Sequence, residues 1–168
     1  MTRLTRLLRH RWFDETDLKR ALGPDALARV EQRIAASERQ HGGEICVCVE
    51  ASLPLSYLWR NASARERALA MFGKLRVWDT EANNGVLIYL LLAEHAIEIV
   101  ADRGIARHVP DVHWAELVAT LREDFRSGLF EAGLTRAVDA VHALLVQHFA
   151  QTVDGSSVNE LPDRPYLR

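Results

Sequence analysis

Seven polar residues fall into two short stretches of this chain. Asp79, Glu81, Asn83 and Asn84 lie together, and Asp102, Arg103 and Arg107 follow after about twenty mostly apolar residues. Asp79, Glu81, Asn83, Asn84 and Asp102 are hard oxygen donors of the kind that calcium takes six to eight of and magnesium fewer. They match no EF-hand spacing. Asp102, or Asp79, is a candidate nucleophile or base, and Arg103 and Arg107 could hold phosphoryl oxygens. No Cys-x5-Arg, paired-Asp or phosphate-loop pattern accompanies them. The plainer reading of the same residues pairs Asp102 with an arginine and gives Asn84-Gly85 to turn geometry.

The elements between these stretches should bring them together. Glu44 to Glu50 alternates between Ile45, Val47, Val49 on one face and Cys46, Cys48 on the other. Both faces are apolar, as in a strand covered on both sides. The run at 86–92 is apolar throughout and reads as a central strand, and 96–101 as the next. Ala93-Glu94-His95 is too short for a crossover, so the last two strands form a hairpin. The first reaches the second through a helix and should run parallel to it. Asn83-Asn84-Gly85 should then sit beside Asp102-Arg103-Gly104, with Glu44 at the same edge.

Helical spacing marks the remaining elements. Pro24 suits a first helical position, and Leu27, Val30 and Ile34 follow as an inner stripe. Ser63 and Glu66 form a capping box ahead of Ala64, Ala68, Phe72 and Leu75. Trp114, Leu117, Val118, Leu121 and Phe125 mark a helix from Pro110, and Leu134, Val138, Val141, Leu145 and Phe149 the last one. These patterns predict an α/β chain. It is a three-layer α/β/α sandwich with a small mixed sheet (strands about 44–50, 86–92 and 96–101) and helices on both faces. The expected organisation is a helical extension over 1–23, a domain over 24–150 and a loosely held tail over 151–168.

Residues 1–14 carry Leu4, Leu7, Leu8 and Trp12 at helical spacing, with Arg3, Arg6, Arg9 and Arg11 between them. One reading is a membrane-surface contact. The other, favoured by the shortness of the segment, is a helix docked on its own domain. No apolar stretch follows as it would in a secretory signal, so the chain is expected to stay in the cytoplasm. No run reaches the roughly 18 apolar residues of a membrane span. A formal net charge of −2 gives no sign of nucleic-acid binding. Cys46 and Cys48, the only cysteines, read as free thiols. The seven histidines form no ligand set and are expected on helix or loop surfaces. Trp59, Trp78 and Trp114 are expected in the core or at its rim.

The segment from Gly85 to Gly133 resembles the TPM-domain family, named for a thylakoid photosystem II repair protein and its relatives. Asn84-Gly85-Val86-Leu87 matches the family's NGVL strand entry. Gly104-Ile105 and Val109-Pro110-Asp111 match its GLEGVLPD stretch. Phe125-Arg126-Ser127-Gly128, Phe130, Gly133 and Leu134 match its F-R-x-G-x-(F/Y)-x-x-G-(I/L) junction. The resemblance covers roughly residues 24–150. Gly43-Glu44-Ile45, preceded by Glu38 and His41, looks like a branch without a signal peptide.

The resemblance implies an α/β/α sandwich. It also implies an activity found in only some members, which are assigned acid phosphatase activity or calcium binding. Here the family's Gly-Tyr-Gly-Leu-Glu-Gly loop is altered: Asp102 replaces its first glycine, Arg103 its tyrosine, Ala106 its glutamate and Arg107 its last glycine. One carboxylate is lost, another enters, and two cations appear. The expectation is therefore a non-enzymatic binding or accessory module for a protein partner or membrane-associated complex. The alternative is a weak metal-dependent acid phosphatase holding calcium or magnesium through Asp79, Glu81, Asn84 and Asp102. In it, Asp102 and Arg103 are the catalytic candidates, and Asn83, Asn84, Arg103 and Arg107 the ligand-binding ones.

Overall fold

In the computed structural model, which describes residues 3–150 and 159–168, a mixed four-stranded sheet lies between helices. The strands are β1 (Glu44–Glu50), β2 (Gly85–Leu91), β3 (Ala96–Ala101) and β4 (Tyr166–Leu167), in the order β3-β2-β1-β4. β1 and β2 are parallel, with Glu44 opposite Gly85 and Glu50 opposite Leu91. β2 and β3 are antiparallel, with Val86 opposite Ala101. Their connection is a 3₁₀ turn over Leu92–Glu94 that closes on His95 in the left-handed region, at φ 49°. The hairpin, the crossover and the three strand positions follow the sequence expectation to within a residue.

The helices are α1 (Arg3–Trp12), α2 (Glu15–Ala21), α3 (Pro24–Glu38), α4 (Leu55–Trp59), α5 (Ala64–Lys74), α6 (Arg103–Ala106), α7 (Asp111–Arg126) and α8 (Phe130–Phe149). Pro24 opens α3, and Ser63 and Glu66 form the reciprocal cap of α5. The short helices α4 and α6 have no amphipathic period long enough to read from sequence.

Strand alternation divides the core in two. Ile45, Val47, Val49, Val86, Ile88 and Leu90 pack with α2, α3, α7 and α8. Cys46, Cys48, Leu87, Tyr89 and Leu91 pack on the opposite face with α4 and α5. This is a three-layer α/β/α sandwich. Leu18 and Leu22 of the 1–23 segment belong to the first of these clusters. Both cysteines are free and buried, and burial pushes their thiols up to about 12, which keeps them protonated and unreactive.

Three expectations need correction. The tail is not loose over 159–168: β4 extends the sheet beside β1, with Cys48 opposite Tyr166. The Arg168 and Ala51 backbones complete the pairing, and Leu161 is buried. Residues 151–158 lie outside the described part. The histidines are not all at the surface, since His10 and His41 are buried. Each ring is held by polar partners, His10 by Glu94 and the Leu53 amide, His41 by Ser37 and the Gly43 carbonyl. Of the tryptophans, Trp114 is in the core, but Trp78 is half exposed and Trp59 is 77% exposed.

A buried ion pair between layers was not legible in sequence. Arg67 of α5 grips the Glu50 carboxylate through Nε at 2.8 Å and Nη2 at 2.5 Å, and the Tyr89 hydroxyl donates to it at 2.6 Å. All three side chains are buried. At the outer edge of the sheet, Arg65 donates to the Ile99 carbonyl at 2.5 Å. A cation covering an open strand edge discourages pairing with another chain.

Candidate functional site

The two polar stretches meet at the end of the sheet where β2 begins and β3 finishes. The Asp102 amide donates to the Gly85 carbonyl at 2.9 Å, and the Gly104 amide to the Asn83 carbonyl at 2.7 Å. The approach is so close that glycine is required at both places. A Cβ on Gly85 would lie 2.1 Å from the Val77 carbonyl oxygen, and one on Gly104 would lie 2.3 Å from that of Asn83. Asn83 takes a left-handed conformation at φ 53°, which asparagine tolerates better than most residues.

The polar side chains here mostly hold the backbone. Asp102 caps α6, its Oδ1 accepting the Arg103 amide at 2.7 Å. Arg103 Nε donates to Asn83 Oδ1 at 2.9 Å. Asn84 Nδ2 donates to the Gly42 carbonyl at 2.7 Å, and Thr80 Oγ1 accepts the Asn84 amide at 3.1 Å. Among the described residues, two buried oxygens here have no hydrogen-bond partner, Asn84 Oδ1 and Asp102 Oδ2. Such atoms mark either a local cost or a place for a ligand.

The other sequence candidates point elsewhere. Asp79 is exposed, with Arg76 Nη1 3.9 Å from its carboxylate. Glu81 is exposed, and its amide donates to the Glu160 carboxylate at 3.0 Å. Arg107 is exposed beyond the end of α6. The structure therefore brings together Asn83, Asn84, Asp102 and Arg103, with Asp79 and Glu81 turned outward on the adjoining loop. Among the described residues, no group of three or more His, Cys, Asp or Glu is arranged to hold a metal ion.

Beside this edge lie two acids, Glu44 buried and Glu38 half-buried. The Glu44 carboxylate accepts the amides of Glu160 at 3.3 Å and Leu161 at 3.2 Å. Burial outweighs those bonds and pushes it up to about 7. Glu38 accepts the Ile45 amide at 2.8 Å, and burial pushes it up to about 9. Nearby, His41 and His142 both address the Ser37 hydroxyl, at 2.8 and 2.9 Å. Burial, followed by the neighbouring His142, holds His41 down at about 4. Sequence reasoning placed Glu44 at this edge but not its partners, because residues 160 and 161 return from the far end of the chain.

A second surface is built by α1 and α4. Helix α1 turns two of its polar residues, Arg6 and His10, inward. Arg6 donates to Glu94 Oε1 at 2.6 Å and to the Ala62 carbonyl at 2.7 Å. The Leu53 amide donates to His10 Nδ1 at 3.1 Å, so the proton of that ring sits on Nε2, 2.9 Å from Glu94 Oε1. Burial raises the Glu94 carboxyl, but the His10 and Arg6 hydrogen bonds prevail and hold it below its ordinary value. Outward stand Leu4, Leu8 and Trp12 of α1, with Leu55 and Trp59 of α4, exposed by between 49% and 79%. A cavity of about 310 Å³ between the two helices is lined by Leu4, Leu7, Leu8, Leu53, Leu55 and Leu58, among others.

The family model of the TPM domain matches residues 16–144. No curated protein sequence matches the chain significantly. Among solved structures, it is similar to the BA42 protein of the psychrophilic bacterium Bizionia argentinensis. The identity is 25% and the TM-score 0.75, covering 88% of this chain and 95% of that one. It also shares a fold with the N-terminal domain of a P. gingivalis protein. There the identity is 22% and the TM-score 0.55, covering 72% and 76% of the two chains. A sandwich of this topology, with the matched residues spanning three of its four strands and most of its helices, makes this chain a member of the TPM-domain family.

Proposed function

We propose that this TPM domain works as a binding module rather than as an enzyme. The observation that carries the reading is how the sheet-edge groups are used. Asp102 Oδ1 caps a helix, Arg103 is turned onto Asn83, and Asn84 holds the Gly42 carbonyl. Catalysis needs an acid–base set converging on open space, and these groups are engaged with backbone or with one another. The α1–α4 face, by contrast, leaves five large apolar side chains uncovered. Exposed apolar patches of this kind mark interaction surfaces. The expected setting is the cytoplasm, with a protein partner or a membrane-associated complex as ligand.

One observation favours the alternative, a weak phosphatase assisted by calcium or magnesium. Asn84 Oδ1 and Asp102 Oδ2 are buried acceptors without partners, and hard cations take such oxygens. The fit is partial, since Asp79 and Glu81 are exposed on the loop. One experiment separates the readings. Hydrolysis of p-nitrophenyl phosphate is measured for the wild type and Asp102→Asn, with and without each cation. The binding reading expects no turnover that depends on Asp102. Cation-dependent turnover that disappears in the variant would establish the phosphatase.

A further inference from the structure

We propose that the α1–α4 face docks on an anionic lipid bilayer, an inference that rests on the binding-module reading and names its partner. Helix α1 packs on the domain through Leu7 but leaves most of its apolar residues outward. Arg6 and His10 face the domain and are tied to Glu94, whereas Leu4, Leu8 and Trp12, spaced four apart, form one stripe facing away. Leu55 and Trp59 of α4 continue the apolar surface, and Leu4, Leu8 and Leu55 line the same cavity. Leucine flanked by tryptophan is the composition of a face that sits at the boundary of headgroups and acyl chains.

Charge selects the occupant. The only charged residues from 3 to 12 are four arginines, Arg3, Arg6, Arg9 and Arg11, while the rest of the chain holds 17 of the 21 Lys and Arg against all 23 Asp and Glu. Arg3 and Arg11 are exposed, and Arg11 lines the α1–α4 cavity. An anionic surface would attract this face, whereas the rest of the chain carries a net negative charge, which favours approach in this orientation.

Co-sedimentation of the full chain with unilamellar vesicles tests this. One preparation is phosphatidylcholine alone and the other contains phosphatidylglycerol, each at low and high salt. Binding is expected only with phosphatidylglycerol, weakened by salt and accompanied by a blue shift of tryptophan emission. Leu8→Asp with Trp12→Ser, and separately Arg3→Gln with Arg11→Gln, should each lower partitioning by about tenfold or more. All four side chains are exposed, so circular dichroism and Tm should stay unchanged. Failure to bind phosphatidylglycerol vesicles at low salt overturns the inference, as does undiminished binding by the Leu8 and Trp12 variant. Self-association of the wild type that this variant abolishes, without vesicle binding, also overturns it. That result would assign the face to a second copy and leave the binding-module reading standing. Turnover dependent on Asp102 would count against that reading alone.

Discussion

The end of the sheet and the α1–α4 flank use polar and apolar groups in opposite ways. At the sheet end, polar side chains turn inward to hold two loops within a glycine's width of each other. On the flank, Arg6 and His10 also turn inward, but Leu4, Leu8 and Trp12 face out. The first arrangement satisfies its own chemistry and holds the fold together. The second holds the helix in place while leaving its interaction potential unused. Residues that identify the family thus account for architecture, and α1, outside the matched 16–144, carries much of the surface that lacks a partner.

The most damaging test of this contrast is at Gly85. Gly85→Ala places a methyl against the backbone of Val77, 2.1 Å from its oxygen. Backbone cannot step aside as a flexible side chain can, so a loss on the order of 3 kcal/mol is expected in denaturant unfolding. Tolerance to within about 0.5 kcal/mol would show that the turn at Val77 is not held against the start of β2.

Next in size is His10→Ala, which probes how firmly the flank is tied. It leaves the buried Leu53 amide without its acceptor and takes one donor from Glu94. An unsatisfied buried amide costs about 1–3 kcal/mol. Thermal unfolding should show that loss, and proteolysis should cut α1 sooner. Unchanged protection would mean that α1 is held without the His10 bonds.

A smaller effect separates the sheet end by pH. Glu44 and Glu38 are raised from the usual 4.5 to about 7 and about 9. The folded state therefore keeps protons that the unfolded chain releases above pH 4.5. The stabilisation is full below that value and is lost as pH rises through 7 for Glu44 and through 9 for Glu38. His41, lowered from 6.5 to about 4, acts in the opposite sense, its contribution present above 6.5 and lost as pH falls through 4. Glu44→Gln should flatten the stability profile between pH 4.5 and 7 by on the order of 1–2 kcal/mol, read from urea midpoints. An unaltered profile would place the dependence on Glu38.

Much of the sheet end was legible because its logic is local. Alternation in EICVCVE, an apolar run at Val86–Leu91 and a connection too short for a crossover dictate strand type, hairpin and parallel pairing. Those in turn juxtapose Asn84 and Asp102. The cooperation of Glu44 with Glu160 and Leu161 was not legible, since 116 residues separate the first pair. The same holds for Arg67 with Glu50 and Tyr89, whose identities suggest surface and strand rather than a shared buried site.

Sequence by itself determined the longer elements, their order and the family, because periodicity, caps and glycines act over a few residues. Only the tertiary structure decided which way each polar group faces. Nothing within Arg3–Trp12 says that Glu94 and the Leu53 amide will draw Arg6 and His10 inward and leave Leu4, Leu8 and Trp12 outward. An amphipathic helix has two faces. The partner that claims one of them comes from elsewhere in the chain.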